Sequence, residues 1–158
     1  MRPRAVYDMM VFFQWATLPP EQPHRQHATL AAVINRTVRL CLGPELLFEV
    51  QNLLTRPELQ VKYKSMTPEH VAAILSRARR YAVWFENIPK RFALPNHEKD
   101  NHLFDLAIEA KADYLVTFER RLLALPTAPN QEGHRLRELA PSLEIITPKS
   151  FAELLKAV

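Results

Sequence analysis

Residues 100–123, "DNHLFDLAIEAKADYLVTFERRLL", decide the fold class, because they combine a helix, a strand and a second helix in immediate succession. Apolar residues recur at three- and four-residue spacing across 100–112, which predicts an amphipathic helix. The next six residues, "DYLVTF" (113–118), have the composition of a buried strand, and "ERRLLAL" predicts a short helix. A helix that leads directly into a buried strand is typical of an α/β protein.

The rest of the chain repeats this alternation. "AVYDMMVFF" predicts a strand and then the start of a helix, with Asp8 at the changeover, and "TVRLCL" (37–42) predicts a second strand. Helices are predicted for "ATLAAVIN", "GPELLFEVQNLL" and "TPEHVAAILSRARRYA", after which "VWFENI" allows a short strand. "LEIIT" (143–147) is the last strand and is followed by a closing helix. The order predicts an α/β domain whose mainly parallel sheet is covered on both faces, with residues 1–158 as one domain.

Composition excludes several classes of enzyme. The chain has only two glycines, so it can contain neither a dinucleotide-binding fingerprint nor a phosphate-binding P-loop. Cys41 is the single cysteine, which excludes a disulfide framework and favours a small buried side chain. No run approaches the ~20 apolar residues of a membrane span, and Asp8 and Gln14 interrupt what would be a signal-peptide core, so we expect a cytoplasmic protein without a membrane partner. The net charge of +4 makes polyanions plausible partners, although basic surfaces are often only solvated.

Four acids fall near the predicted carboxyl edge of the sheet. They are Asp8 after the first strand, Glu49 in the helix after the second, Asp100 at the start of the helix before the third, and Glu119 directly after "LVTF". Ligands of open parallel sheets bind at this edge. Clustered carboxylates repel one another, and a hard divalent cation such as Mg²⁺ or Mn²⁺ removes that repulsion. The pattern therefore indicates a metal site for phosphodiester hydrolysis.

Each acid also has a purely structural interpretation. Glu49 is typical of a helix surface, Asp100 of an N-cap, and Glu119 of a first helical turn. Asp8 is the hardest to explain in this way, because strands disfavour aspartate. A fold-only α/β protein with scattered capping acids thus remains an alternative.

The chain resembles the PIN domain family, in particular the small prokaryotic PIN proteins that act as toxins of toxin–antitoxin pairs. The third segment carries most of the likeness: "HEKDNHLFDLAIEAKADYLVTFERRLL" is similar to an aspartate that opens a helix, then alanine–aspartate, then a strand that closes in valine–threonine–x–acid. "AVYDMMVFF" resembles the opening strand, "LCLGPELLFEVQNLLTRPEL" the segment with the second acid, and "LEIITPKSFAELL" the C-terminal strand and helix.

The resemblance implies a three-layer α/β/α sandwich around a parallel sheet and Mg²⁺- or Mn²⁺-dependent cleavage of RNA. Carried over by position, it implies that the metal ligands are Asp8, Glu49, Asp100 and Glu119, and that Thr117 orients the site. Arg120 and Arg121 follow at its mouth, where they could contact substrate phosphate. The expected partners are RNA, a small antitoxin protein and a second copy of this chain.

The sequence departs from the family pattern at several positions. Met9 and Met10 replace the usual threonine and asparagine, and Glu119 replaces the usual aspartate. His97 and Arg121 stand where further acids are common. Losing polar groups that hold a ligand can cost ~10–100-fold in metal affinity or activity, so a non-catalytic PIN-like module that binds RNA or protein is the alternative function.

Other features leave two interpretations open. The arginines and aromatic rings of "SRARRYAVWFENIPKR" (76–91) suit a single RNA strand, or form a solvated helix face over core aromatics. Phe12, Phe13 and Trp15 belong to the core or to an oligomer interface. His24 and His27 lie in a proline-rich connection and are expected at the surface. The polar segment 124–142 is longer than most connections between a helix and a strand.

Overall fold

The computed structural model describes residues 2–19 and 27–157, which form five strands and nine α-helices. The strands are β1 (Arg4–Tyr7), β2 (Arg39–Leu42), β3 (Val83–Trp84), β4 (Tyr114–Val116) and β5 (Glu144–Ile146). The helices are α1 (Met9–Thr17), α2 (Ala28–Ile34), α3 (Pro44–Leu54), α4 (Pro57–Lys62), α5 (Pro68–Tyr81), α6 (Asn101–Glu109), α7 (Arg120–Ala124), α8 (Gln131–Leu139) and α9 (Pro148–Lys156). Within these residues, no helix has the length and apolar character that crossing a bilayer would need.

The five strands form one sheet in the order β3-β2-β1-β4-β5, and every neighbouring pair is parallel. The chain moves outward from β1 to β2 and β3, and then returns to place β4 on the other side of β1. Strand order therefore reverses between β1 and β4, which is where open parallel sheets form a ligand crevice. The predicted α/β class with a parallel sheet is confirmed.

Helices cover the sheet on both faces. On one face, the ring of Tyr7 packs edge-on against Trp15 of α1 and Phe151 of α9, and its hydroxyl donates to the carbonyl oxygen of Thr29 in α2. On the other face, α6 packs against β1, β2 and β4. Phe12 and Trp15 are almost fully buried, so they belong to the core and not to an oligomer interface. Cys41 is also fully buried, and burial raises the pKa of its thiol to about 11.

Helix caps explain why several helices begin where they do. The side chains of Thr67 and Thr147 accept hydrogen bonds from main-chain N–H groups of α5 and α9, and a proline occupies the first position of each helix. Asp8 caps α1 in the same way, because its carboxylate accepts from the N–H of Met10. The strand-to-helix changeover predicted at Asp8 is confirmed.

Two helices, α4 and α8, are absent from the sequence-based prediction. Residues 124–142 are not an unstructured excursion, since they contain the end of α7, a 3-10 turn (Leu125–Thr127) and α8. Apolar spacing could not identify α8, because only Gly133 and Leu136 are buried in it. A Cβ atom on Gly133 would lie 2.4 Å from the carbonyl oxygen of Ala128, so glycine is required by close packing.

Part of the proline-rich connection, including His24, lies outside the described residues. His27 lies at the start of α2 and is partly exposed, as expected. The aromatic rings of the 76–91 segment are neither fully buried nor fully exposed. They pack against the core and are those of Tyr81, Trp84 and Phe85. Arg79 stacks over the ring of Trp84 at 4.5 Å from its centroid. The prediction of a solvated arginine face over partly buried aromatic rings therefore fits this segment best.

Candidate active site

Asp8 and Thr117 meet in the crevice between β1 and β4. Tyr7 pairs with Val116 in the sheet, so the residues that follow them, Asp8 and Thr117, lie side by side at the carboxyl edge. The hydroxyl of Thr117 donates to Oδ2 of Asp8, and Oδ1 of Asp8 accepts from the N–H of Met10 at 2.9 Å. These two hydrogen bonds therefore hold the buried carboxylate of Asp8 in one orientation.

Burial raises the pKa of Asp8, although the hydrogen bonds from Thr117 and the N–H of Met10 oppose the rise. The negative charge of Asp100 raises it further. Asp8 and Asp100 therefore interact electrostatically, although 92 positions separate them in the sequence.

Asp100 lies at the junction between a 3-10 turn (Glu98–Asp100) and α6, and its side chain caps neither of them. Burial raises the pKa of Asp100. Lys99 lowers it, and the negative charges of Glu49 and Glu119 raise it again. The interpretation of Asp100 as a simple helix cap is therefore not supported by its hydrogen bonds. Asp100 instead lies within electrostatic reach of the other three predicted acids.

Glu119 occupies the N-cap position of α7 without a capping hydrogen bond from its side chain. Its main-chain N–H donates to the hydroxyl oxygen of Thr117 at 3.1 Å. Thr117 is fully buried and so connects Asp8 with the backbone of Glu119. A single threonine hydroxyl therefore fixes the relative position of two predicted ligands.

Glu49 projects from α3 towards α6, where its Oε2 lies 2.7 Å from Nε2 of His102. Burial alone would lower the pKa of His102, but the hydrogen bond and the charge of Glu49 outweigh burial and raise it. Sequence analysis did not find His102, since neither its spacing nor its neighbours indicate a partner on α3. His102 places an imidazole ring in hydrogen-bonding contact with one of the four acids.

Asp105 is a second functional side chain that sequence analysis missed. Its buried Oδ1 accepts from the N–H groups of Arg91 and Phe92 at 2.8 and 2.9 Å, and Asn101 accepts from the N–H of Leu94 at 2.8 Å. These bonds attach the segment before Asp100 to the first turns of α6. The sequence signal that could have identified Asp105 is a carboxylate among the apolar residues on the buried face of a predicted helix.

The two arginines predicted to bind substrate are both exposed beside Glu119. The guanidinium of Arg121 contacts the imidazole ring of His97. Two of the departures from the family pattern are therefore in contact with one another.

The four acids fit a divalent cation in their chemistry, because they supply hard oxygen ligands and because the charges of Glu49 and Glu119 raise the pKa of Asp100. However, no group of three or more His, Cys, Asp or Glu side chains in 2–19 and 27–157 is arranged to hold a metal ion. None of Asp8, Asp100 and Glu119 forms an ion pair with a described Lys or Arg residue. Among the described residues, the charge of Lys99 offsets part of the repulsion at Asp100, but no ion pair neutralises any of these three acids.

The sequence model of the PIN domain family matches residues 4–121, which include every predicted site residue. The chain belongs to the PIN domain family. Comparisons with curated proteins and with solved structures give no match. PIN domains are generally nucleases that use divalent metal ions, so membership indicates a nuclease-type function and a nucleic-acid partner. The match ends before α8, β5 and α9, although β5 pairs with β4 in the same sheet.

Proposed function

We propose that this PIN domain is a metal-dependent endoribonuclease whose site comprises Asp8, Glu49, Asp100 and Glu119. The observation that carries the proposal is the position of Asp8 and Thr117 side by side at the carboxyl edge between β1 and β4, with the main chain of Glu119 bonded to Thr117. The charges of Glu49 and Glu119 raise the pKa of Asp100, and a cation would compensate this repulsion. Family membership supports the same class of reaction.

Different residues of the chain would bind the metal ion, orient its ligands and contact the RNA. The carboxylates of Asp8, Glu49, Asp100 and Glu119 would hold Mg²⁺ or Mn²⁺. When bound, such an ion lowers the pKa of a water molecule and neutralises charge on the phosphate. Thr117 keeps the carboxylate of Asp8 in one orientation, and His102 does the same for Glu49. Arg120 and Arg121 would contact the phosphates that flank the cleaved bond.

A cleavage assay tests the proposal directly. The purified protein is incubated with mixed RNA and Mn²⁺, with Mg²⁺, and with excess EDTA. We expect internal cleavage with either metal and none with EDTA, because the acids would repel the phosphate when no cation is present. RNA that stays intact with both metals would contradict the proposal.

The non-catalytic PIN-like module is favoured by one observation: no three potential ligands among the described residues are arranged to hold an ion. Calorimetric titration with Mn²⁺ separates the two functions. Micromolar binding that the substitution Asp8→Asn abolishes supports the nuclease. Absence of binding by the unaltered protein supports the module.

Replacing Thr117 with valine is expected to lower Mn²⁺ affinity and RNA cleavage by about 10- to 100-fold, as the loss of a group that orients a ligand usually does. Valine keeps the volume and removes the hydroxyl that bonds to Asp8 and to the N–H of Glu119. The free energy of unfolding should fall by about 1–2 kcal/mol. Metal titration, cleavage rates and urea denaturation measure the three quantities.

Thr29→Val is the matched control for Thr117→Val. Thr29 is also buried, and its hydroxyl accepts a hydrogen bond from Nε1 of Trp15 and bonds to none of the four acids. We expect a similar loss of stability with unchanged metal affinity. Equal loss of activity in both variants would show that Thr117 acts only through folding.

The resemblance to prokaryotic PIN toxins extends the proposal to a toxin restrained by a small antitoxin protein. A small reading frame next to the gene, whose product binds this chain and inhibits cleavage, would support that role. The cytoplasmic location and self-association stay predictions. Phe48 of α3 and Val61 of α4 are exposed apolar residues that could take part in such an interface.

A further inference from the structure

A strongly basic cavity lies at the edge of the sheet opposite the four acids. Arg4 begins β1 and Arg39 begins β2, so the side chains around them surround the amino ends of the strands. The cavity has a volume of about 330 Å³ and is lined by Arg2, Arg36, Arg39, Arg80 and Tyr81 together with three valines. No acidic side chain is among its lining residues.

Three of the four arginines of this basic cavity contact neighbouring groups of the protein, and none of the four is neutralised. Arg36 and Arg80 lie over the ring of Tyr81, each 5.9 Å from its centroid, and Arg2 donates to the carbonyl oxygen of Arg36. None of the four forms an ion pair with an acid among residues 2–19 and 27–157. Four like charges around one cavity create a positive potential that favours the binding of an anion.

A larger cavity of about 670 Å³ continues the basic surface along the same edge. It shares Arg2 and Arg39 with the first cavity and adds Arg4 and Tyr114. Arg4 is partly satisfied within the protein, because its Nη1 donates to the carbonyl oxygen of Ala110 at 2.8 Å. The smaller cavity therefore offers more guanidinium donors that are not bonded within the protein, and the larger cavity extends the basic surface.

We propose that the basic cavity binds the phosphodiester backbone of the RNA substrate at a distance from the cleavage site. This inference rests on the proposed function for the identity of the substrate. The planar guanidinium forks of Arg36, Arg39 and Arg80 suit bidentate recognition of phosphate. An aromatic ring beside clustered arginines is typical of surfaces that bind single strands. An acidic protein segment is the alternative occupant and is an outcome of the test below.

The backbone conformation of Arg36 allows a substitution that removes its side-chain charge without straining the fold. Arg36 follows α2 in the left-handed conformation, with φ of 59°, where the N–H of Thr37 donates to the carbonyl oxygen of Ala32. Glycine is the preferred residue at this position, so Arg36→Gly should keep or increase stability while it removes one guanidinium. Lys111 ends α6 in the same way, with φ of 51° and a bond from Ala112 to Ala107. Lys111 lines neither cavity, so Lys111→Gly is a control with the same backbone relief and the same loss of charge.

The test measures binding of a fluorescent oligouridylate about 20 nucleotides long, in EDTA, by anisotropy across a range of salt concentrations. Each of Arg36→Gly, Arg39→Gln and Arg80→Gln should reduce the slope of log K against log salt by about 0.7, which corresponds to about fivefold weaker binding at 0.1 M salt. Lys111→Gly should bind like the unaltered protein. Thermal melts of all four variants confirm that they remain folded.

Three results would overturn the inference. Equal weakening by Arg36→Gly and Lys111→Gly would mean that only net charge matters. Unchanged binding in all three arginine variants would mean that RNA is bound elsewhere. Arginine-dependent binding of an oligoglutamate peptide, without such binding of RNA, would identify an acidic protein segment as the occupant.

A negative result of this binding test can be distinguished from failure of the proposed nuclease function. Binding in EDTA requires no cleavage, so Asp100→Asn should bind the oligouridylate at least as tightly as the unaltered protein does. Cleavage of a dinucleotide should be the same in Arg36→Gly as in the unaltered protein, because so short a substrate cannot extend between opposite edges of the sheet.

Discussion

The substitution Asp100→Asn is expected to reduce metal-dependent RNA cleavage by at least about a hundredfold. Loss of a group that only supports a metal ligand already costs about 10- to 100-fold, and Asp100 is a proposed ligand itself. The substitution removes one negative charge and almost no volume. It leaves the hydrogen bonds of the fold intact, since the carboxylate of Asp100 forms no cap on α6. Initial cleavage rates with saturating Mn²⁺ measure the effect.

The same variant should be more stable than the unaltered protein when no cation is present. The pKa of Asp100 is raised by burial and by Glu49 and Glu119, so the folded protein holds this proton more tightly than the unfolded chain does. The free energy of unfolding of the unaltered protein should therefore fall as the pH rises through that raised pKa. Thermal melts in EDTA should show an advantage for Asp100→Asn at neutral pH that disappears below the ordinary pKa of aspartate.

Glu98→Gln is the matched control, since it removes the same charge two residues earlier at an exposed position. We expect full activity and little change in melting temperature. Cleavage that persists in Asp100→Asn would remove the proposed mechanism. A loss of activity in Asp100→Asn together with a lower melting temperature in EDTA would mean that Asp100 serves folding.

Truncation of Phe151 to alanine should lower the free energy of unfolding by about 3–5 kcal/mol, a large part of the 5–15 kcal/mol that stabilises an ordinary domain. Phe151 lies in α9, beyond the residues that the family model matches. Its ring is fully buried, with its centroid 6.0 Å from that of Tyr7 in β1 and 5.3 Å from that of Tyr114 in β4. Urea denaturation followed by circular dichroism measures the loss.

Leu154→Ala in the same helix is the control, because Leu154 is 36% exposed and its truncation should cost about 1 kcal/mol or less. A single shifted transition in Phe151→Ala would support the prediction that residues 1–158 form one domain. If residues 4–121 were stable alone, the variant would instead unfold in two transitions.

The order of the elements could be predicted from the sequence where apolar residues follow a clear period. Residues 100–118 are the best example, because Leu103, Leu106 and Ala107 are all buried and β4 follows within a few residues. The same signal is missing in α4, which has no buried residue, and in α8, whose packing depends on Gly133. β3 contains only two residues and is recognisable mainly by its pairing with β2.

The sequence predicts the four acids as site residues, and it does not predict the side chains that contact them. Asp8 and Thr117 follow adjacent strands, and this edge is where parallel sheets bind ligands. The bond between Glu49 and His102 joins α3 to α6, so it depends on how two helices pack across 53 positions of sequence. No local pattern encodes such a contact. The basic cavity could not be predicted for the same reason, because its four arginines come from three separate segments of the chain.

The main-chain amide that holds Asp8 has a consequence for how this protein tolerates sequence change. Met10 follows the aspartate at an exposed position, and its main-chain amide and the Thr117 hydroxyl each bond to one carboxylate oxygen of Asp8. Every residue except proline carries that amide. Position 10 should therefore accept many side chains, while proline there would remove the amide that orients the aspartate.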